Sequence, residues 1–528
     1  MNHIELFAGC GGLSLGLESA GFKLVMANEL SPMAAETFAY NFFNENLEES
    51  CPESRVMWLS SNYAKENRKA RLREDPRKFP ELSENKSDFS ENTELNGKLV
   101  VGNIVQLNQW LDRNSKQVIE LRNAYGSEGG LDLVSGGPPC QSFSMAGLRQ
   151  FNNNRNTLPW EFAKFVKTTQ PKIALLENVT GILRAFDVDG KKFYAWFEVA
   201  KAFAQINYIP LCLHINAKYA GVAQNRPRFI FIGVRHDVFD NIYIQLNETE
   251  KNIYKQSISF VNDLKKGLDV EYGALPYFDV ANDEHNDLFR NTFLSPLVKY
   301  KDKEFTVKDA IDDLRDEGSV KSQYIELINT SLMQDHRESK NLMNHDLRNN
   351  GIHVQRRFRI YQILQLLDNP TKKEALDLLK GKINIVSAST AKKLMSYDYL
   401  IDLNKYARFS SIDELISYFN AHQTKKQTQK ALVPDQPAPA ALSIPDDACH
   451  YHHDELRTLT VREMARIQSF PDHFVFRSKV TTGGQMRQFE VPQYTQVGNA
   501  VPPLLGQALG YVIKSILDKY TTKEVEGF

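Results

Sequence analysis

The 528 residues are enough for two or three domains around a large core, and 42% hydrophobic with 24% charged residues is an ordinary globular composition. The formal net charge of -1 excludes a uniformly basic nucleic-acid binder, so any such surface has to be a local patch balanced elsewhere. The five cysteines, Cys10, Cys51, Cys140, Cys212 and Cys449, are scattered and contain no CxxC pair, which argues for reduced thiols and against a disulfide framework or a zinc site.

The opening Met1-Asn-His-Ile-Glu-Leu lacks the basic and apolar regions of a signal peptide, and no apolar run reaches the roughly 18 residues of a membrane span. A cytoplasmic protein without a membrane partner is expected. Ile4 to Phe7 reads as a first strand. Ala8-Gly9-Cys10-Gly11-Gly12 then forms a glycine turn running into a helix, where a cofactor can lie against backbone N–H groups. A dinucleotide fingerprint starting at Gly9 would need glycine where the chain has Ser14, which disfavours a nicotinamide enzyme. Leu24 to Ala27 reads as a second strand ending at Asn28-Glu29, and an acid about 20 residues past the glycine turn is placed to accept both ribose hydroxyls. Ser31-Pro32 looks like an N-cap and first helical position, opening a helix through Phe42.

Residues 44–97 are dense in charge, Asn and Ser without a sustained period, and read as a surface insertion, partly disordered and locally basic from Lys65 to Lys78. The strand signal resumes at Leu99 to Val101, followed by Gly102-Asn103-Ile104. Leu131 to Ser135 reads as a buried strand that stops at Gly136-Gly137-Pro138-Pro139 and presents Cys140 at a strand end, where ligands bind in open α/β sheets. Ser142 to Asn156, with Arg149 and Arg155, looks like a lid over that site. A helix over Leu158 to Thr169 and a strand over Ile173 to Leu176 follow, the strand ending at Glu177 on the same edge as Cys140. Gln224-Asn-Arg226-Pro-Arg228 leads into a strand from Phe229 to Val234, with one of Arg226 and Arg228 expected to reach a bound base and the other to brace the lid.

From His236 to about Tyr451 no chemical motif appears. Thr306 to Ile311 looks like a capped helix, and Arg357 to Leu367 and Lys372 to Leu379 look helical. Between 351 and 430, Lys and Arg outnumber Asp and Glu by fourteen to seven, a local basic surface suited to DNA, with Arg356 and Arg357 as expected contacts. Thr424 to Pro445, with four prolines, reads as a linker. Thr460 and Glu463 form a capping box opening a helix in Arg457-Thr-Leu-Thr-Val-Arg-Glu-Met-Ala-Arg-Ile-Gln-Ser-Phe-Pro471, a scaffold element. Gln496-Val-Gly498-Asn499-Ala500-Val501-Pro-Pro503 precedes a terminal helix to about Leu517.

Phe7-Ala-Gly-Cys-Gly-Gly12, Gly136-Gly-Pro-Pro-Cys-Gln-Ser-Phe-Ser144, Glu177-Asn-Val179, Gln224-x-Arg226-x-Arg228 and the Gln496–Pro503 run occur in one order that resembles the cytosine-C5 DNA methyltransferases of restriction-modification type. The resemblance covers about 1–43, 98–240 and 455–515. It implies a Rossmann-like α/β domain with a mixed, mostly parallel sheet over 1–240. A smaller α+β target-recognition domain would span 241–485, and a segment at 486–528 would return to the first domain. It implies S-adenosyl-L-methionine as cofactor, S-adenosyl-L-homocysteine as product, and no metal. Cofactor contacts carried over are Phe7, Ala8, Gly9, Cys10, Gly11, Gly12, Glu29, Leu30, Asn103, Ile104, Pro139, Asn499, Ala500 and Val501. The family usually has Asp at the position of Asn103, where it accepts from the adenine amino group; Asn accepts through its carbonyl, without charge.

Catalytic roles carried over fall on Cys140, Glu177, Arg226 and Arg228, the second arginine contacting the target cytosine. Gln141, Ser144, Arg149 and Gln224 are the expected DNA contacts beside them. The implied reaction adds the Cys140 thiolate to C6 of a cytosine flipped out of double-stranded DNA. The implied setting is a monomer on DNA, with a cognate restriction endonuclease as functional partner. A tRNA cytosine-C5 methyltransferase would share these parts but have a smaller middle region, and an inactive DNA-binding relative should have lost Cys140 or Glu177.

Overall fold

A computed structural model describes residues 1–82, 86–139, 157–188, 190–315, 320–332, 342–424, 429–440 and 442–520. Cys140 lies outside them, as do Gln141, Ser144, Arg149 and the expected lid. The centre of the molecule is one nine-stranded sheet built from β1 (Asn2–Leu6), β2 (Lys23–Glu29), β3 (Val56–Trp58), β4 (Lys98–Val101), β5 (Leu133–Gly136), β6 (Ile173–Val179), β7 (Tyr208–Asn216), β8 (Pro227–Arg235) and β9 (Phe278–Asp279). Their order across the sheet is β9-β7-β8-β6-β5-β1-β2-β4-β3. β3 through β6 run parallel in that order, while β8 is antiparallel to both neighbours. The strands are apolar almost without alternation because helices cover both faces, as a parallel sheet requires.

The register decides where chemistry can sit. Leu6 pairs with Asn28 and with Gly136, Gly136 with Leu176, and Glu29 with Val101. The carboxyl ends of β1, β2, β4, β5 and β6 therefore share one edge. Because β8 runs backwards, its first residues reach the same edge, with Arg228 opposite Val179.

Local signals placed most helices. Helix α1 (Gly12–Ser19) starts on the glycine turn, and α2 (Pro32–Phe43) is capped by Ser31 with Pro32 at its first position. Asn103 caps α3 (Ile104–Asp112), and α4 (Leu158–Thr169) lies where the periodicity predicts it. Among the described residues no single helix is long and apolar enough to cross a membrane.

Two expectations need correction. The 44–97 insertion supplies β3, an edge strand of the main sheet. Its polar residues are spent on one another: the Asp88 carboxylate accepts the Trp58 amide at 3.0 Å and pairs with Arg71 at 3.0 Å, while Glu74 accepts from Ser61 and from the Asn62 amide. A polar, aperiodic composition reads as disorder only when those partners are invisible.

The expected linker is also anchored. A second, smaller core gathers around α5 (Ile352–Gln365), with Phe358, Leu378, Leu394, Tyr399 and Phe419. The chain leaves this core at Lys430–Ala431 and re-enters it at Ala448–Cys449, two short strands paired to each other. Between them Ala438–Pro439 pairs with Gln224–Asn225 of the main domain. Prolines suit such a strand because it needs no N–H on its outer side.

After the helix α6 (Val461–Ile467), α7 (Pro503–Leu517) closes the molecule against α1. The two backbones approach so closely that a Cβ at Gly16 would stand 2.3 Å from the Pro503 carbonyl oxygen.

Candidate active site

Three strand ends build the reactive edge. β5 ends in the Gly136–Pro139 turn, whose Pro138 carbonyl accepts from the Asn178 amide at 3.1 Å. β6 delivers Glu177, and β8 delivers Arg228, whose Nε stands 2.6 Å from Glu177 Oε1. The second carboxylate oxygen lies over the turn: a Cβ at Gly137 would come within 3.0 Å of Glu177 Oε2. A side chain at 137 would thus press on the carboxylate. The result is a buried acid with one oxygen on a guanidinium and the other facing the turn that leads directly into Cys140.

Arg226 goes to different partners from Arg228, although residues two apart on a regular extended chain would line one face. Its Nη2 donates to the Gly498 carbonyl at 2.9 Å and the Ala500 carbonyl at 3.0 Å, and its Nη1 reaches the Ala440 carbonyl at 3.4 Å. Burial pushes its pKa well below that of an ordinary arginine, and Arg228 adds to this. Expected among the catalytic groups, Arg226 is placed as a brace. Gln224, expected to touch DNA, needs correction: it is 0% exposed, its amide donating to the Pro439 carbonyl at 3.1 Å.

The neighbouring edge forms a cradle. Phe7 turns the chain with φ 57, a conformation that strains a non-glycine residue and that the surrounding turn imposes. Glu29 binds this turn, Oε2 accepting from the Gly9 amide at 2.8 Å and Oε1 from the Ser31 amide at 2.7 Å. Burial raises its pKa, opposed by those amides. The opposite wall comes from the far end of the sequence: a Cβ at Gly12 would lie 2.2 Å from the Val501 carbonyl oxygen, with Ala500 also in contact. Asn103 caps α3 through the Val105 amide at 2.9 Å, with Ile104 buried behind it and Leu30 exposed beside Glu29. The glycine turn, Glu29, Asn103 and the 499–501 segment are therefore brought together as expected. The cradle offers backbone amides, a carboxylate and apolar walls, which suit a nucleoside.

Sequence reasoning missed Glu5. It is buried in β1 beneath the turn, and its carboxyl accepts from the Ser14 hydroxyl. The signal was Ser14 itself, a hydroxyl where a dinucleotide turn carries glycine. Burial pushes the Glu5 carboxyl from 4.5 up to about 8, the Ser14 hydrogen bond opposing it. The folded protein therefore holds a proton that the unfolded chain releases between about pH 4.5 and 8, so Glu5 costs stability increasingly as pH rises through that window. Glu5→Gln, which keeps the shape without the charge, is expected to raise the melting temperature more at pH 8 than at pH 5; an equal shift at both would show that Glu5 ionises freely in the fold.

The 457–471 element is a scaffold. Thr460 and Glu463 form the expected capping box, and Arg457 grips Glu463 with two bonds of 2.8 Å. Burial works against the Glu463 charge, but Arg457 wins and holds the carboxyl at about 2. In the smaller core, Arg356 donates to the Ile401 carbonyl and Arg357 to the His422 carbonyl, both half-buried on α5.

The chain is similar to known DNA methyltransferases. The sequence model of the C-5 cytosine-specific DNA methylase family matches residues 1–53 and 110–515. The gap between the two matches falls on the insertion and β4. The Type II methyltransferase M.DdeI of Desulfomicrobium norvegicum is 25% identical over 515 residues, covering 96% of this chain and 87% of its own. M.AgeI of Thalassovita gelatinovora is 26% identical over 539 residues, covering 97% and 99%. Among solved structures, the Dnmt2 methyltransferase of S. pombe aligns over 98% of each chain with 13% identity and a TM-score of 0.40.

Proposed function

Because the chain belongs to the C-5 cytosine-specific DNA methylases, we propose that it transfers a methyl group from S-adenosyl-L-methionine to C5 of one cytosine in a specific double-stranded DNA sequence, as the modification half of a restriction-modification pair. The observation that carries this reading is the Glu177–Arg228 pair, 2.6 Å apart and lying over Gly137 in the turn that precedes Cys140 in the chain.

C5 of cytosine is too weak a nucleophile to take a methyl group unaided. The Cys140 thiolate forms a bond to C6, and the ring electron pair moves toward N3 and C5. Glu177 gives N3 a proton or shares one with it, through the oxygen that Arg228 leaves free. Arg228 hydrogen-bonds O2 and stabilises the charge that gathers there. C5, now an enamine carbon, takes the methyl group that the bound cofactor supplies as a sulfonium. A base then removes the C5 proton, the C6–S bond breaks, and Cys140 and Glu177 return to their starting states. Both ring faces are covered in a duplex, so the cytosine must leave the stack first. Arg226 is a positioning residue in this scheme.

The cradle fits S-adenosyl-L-methionine through the glycine turn that Val501 closes, Glu29 for the ribose, and Asn103 with Ile104 for adenine. Glu29→Ala is expected to weaken its binding by roughly 10- to 100-fold, the scale of one charged hydrogen bond. Asn103→Asp should bind equally or more tightly, because Asp caps α3 as well as Asn and adds charge at the acceptor. Calorimetric titration decides both, and markedly weaker binding by the Asp variant would remove Asn103 from the adenine site. The whole reading is tested by methylation-resolving sequencing of DNA from a methylation-free bacterial host expressing the protein. One methylated context at cytosine C5 is expected, and unmodified DNA would overturn it.

A further inference from the structure

The segment between the paired strands Lys430–Ala431 and Ala448–Cys449 forms a strap with its stem in the smaller core and its tip on the reactive edge. The stem is closed by the pairs Lys430 with Ala448 and Ala431 with Cys449. On the way out, the Gln436 and Pro434 carbonyls accept from the amides of Val307 and Lys308. At the tip, the Ala438 amide donates to the Ala223 carbonyl at 2.9 Å and the Gln224 side chain to the Pro439 carbonyl at 3.1 Å.

The tip also meets the segment that walls the cofactor cradle. A Cβ at Gly498 would stand 2.5 Å from Ser443 Cα and 2.6 Å from the Leu442 carbonyl oxygen, and Thr495 donates to the Ser443 carbonyl at 3.5 Å. One side chain spans all three parts. The Arg226 guanidinium holds the strap at Ala440 and the cradle wall at Gly498 and Ala500, and it sits two residues before Arg228 on the same strand entry. A strap that merely connected two domains would need none of these contacts, and a fully buried guanidinium is an expensive way to satisfy three carbonyls.

We propose that this strap couples the smaller core to the cofactor cradle, with Arg226 as the positioning residue that makes DNA engaged by that core tighten the hold on the cofactor. The inference rests on the function proposed above. A shift of the smaller core on DNA moves the strap stem, the rigid pairing carries the shift to Ala440, and Arg226 passes it to Gly498 and Ala500. By linkage the coupling is reciprocal, so cofactor in the cradle tightens DNA binding by the same factor.

The test is a thermodynamic cycle on the full chain. Binding of S-adenosyl-L-homocysteine is titrated with and without a duplex carrying the context found by sequencing. Wild type should bind it more tightly with DNA present, by a factor in the usual coupling range of about 5–150. Arg226→Lys, which keeps a long amine-bearing side chain but cannot span three carbonyls, should bring that factor below about 2 while its DNA-free affinity changes less than the factor does. Should Arg226→Lys lose its cooperative melting transition, the double variant Gln224→Met with Thr495→Val decides, since it removes two side-chain contacts to the strap and the 3.5 Å bond from Arg226 Nη1 to Gln224 Oε1 while keeping the guanidinium; it should lower the factor at least about threefold. A factor of one in wild type, or a wild-type factor retained in the folded variants, would overturn the inference. Absence of methylation by wild type would sink the proposed function instead, and this inference with it.

Discussion

Cys140→Ser abolishes methyl transfer, with an expected loss on the order of 10⁴-fold or more, the scale on which enzymes lose a nucleophile. The hydroxyl that replaces the thiol is far from ionised near neutral pH and a poorer nucleophile toward C6, while its size and polarity should leave the Gly136–Pro139 turn undisturbed. Binding of duplex and of S-adenosyl-L-homocysteine should therefore survive within a few-fold. The decisive measurement uses a duplex with 5-fluorocytosine in the methylated context. Fluorine cannot leave C5 as a proton would, so wild type stops at the C6–S adduct and migrates with the DNA under denaturing conditions. The Ser variant should leave protein and DNA separate. An adduct in the Ser variant would place the nucleophile elsewhere in the chain.

Glu177→Gln is the second large effect. The carboxamide fills the same space over Gly137 and can donate to N3 as a neutral hydrogen-bond donor, but it cannot supply a proton. It also removes the negative partner of Arg228, 2.6 Å away, which leaves that guanidinium buried with its charge unbalanced. General acid help accounts for about 10²–10⁴-fold in rate, so single-turnover methyl transfer should fall by that much with DNA affinity changed far less. Unchanged single-turnover rates would make Glu177 a structural residue. A drop confined to DNA affinity would make it a docking contact.

These residues were legible in the sequence because each sits where a local pattern changes: an apolar run stops, and glycine, proline or an acid follows. The glycine turn, Glu29, Gly136–Pro139 and Glu177 mark the carboxyl ends of strands that the parallel register brings together, and Arg228 opens a strand that runs backwards and so reaches the same edge. The Ser31-Pro32 start of α2 and the Thr460–Glu463 capping box are equally local. What was not legible depends on partners distant in sequence. Val56–Trp58 is too short to stand out from its polar surroundings, and its place in the sheet is secured by Asp88 thirty residues on. Arg226 and Gln224 look like functional side chains, yet their partners are backbone carbonyls at Pro439, Ala440, Gly498 and Ala500, which leave no mark on composition. The prolines near 440 say only that the segment is extended; that it is extended along the reactive edge is a tertiary fact.

The close approach of Gly12 to Val501 has a consequence for the newly made protein. The cradle is assembled from the first turn of the chain and from a segment translated near its other end, beside the α1–α7 contact. At roughly 5–20 residues per second, a ribosome that has released Gly12 needs on the order of a minute to deliver Val501. During that interval the sheet can form, but the cradle lacks a wall. Under the function proposed above, a nascent chain, or one broken off before Val501, is expected not to methylate DNA, and modification is expected only once synthesis has reached the residues that seal the site.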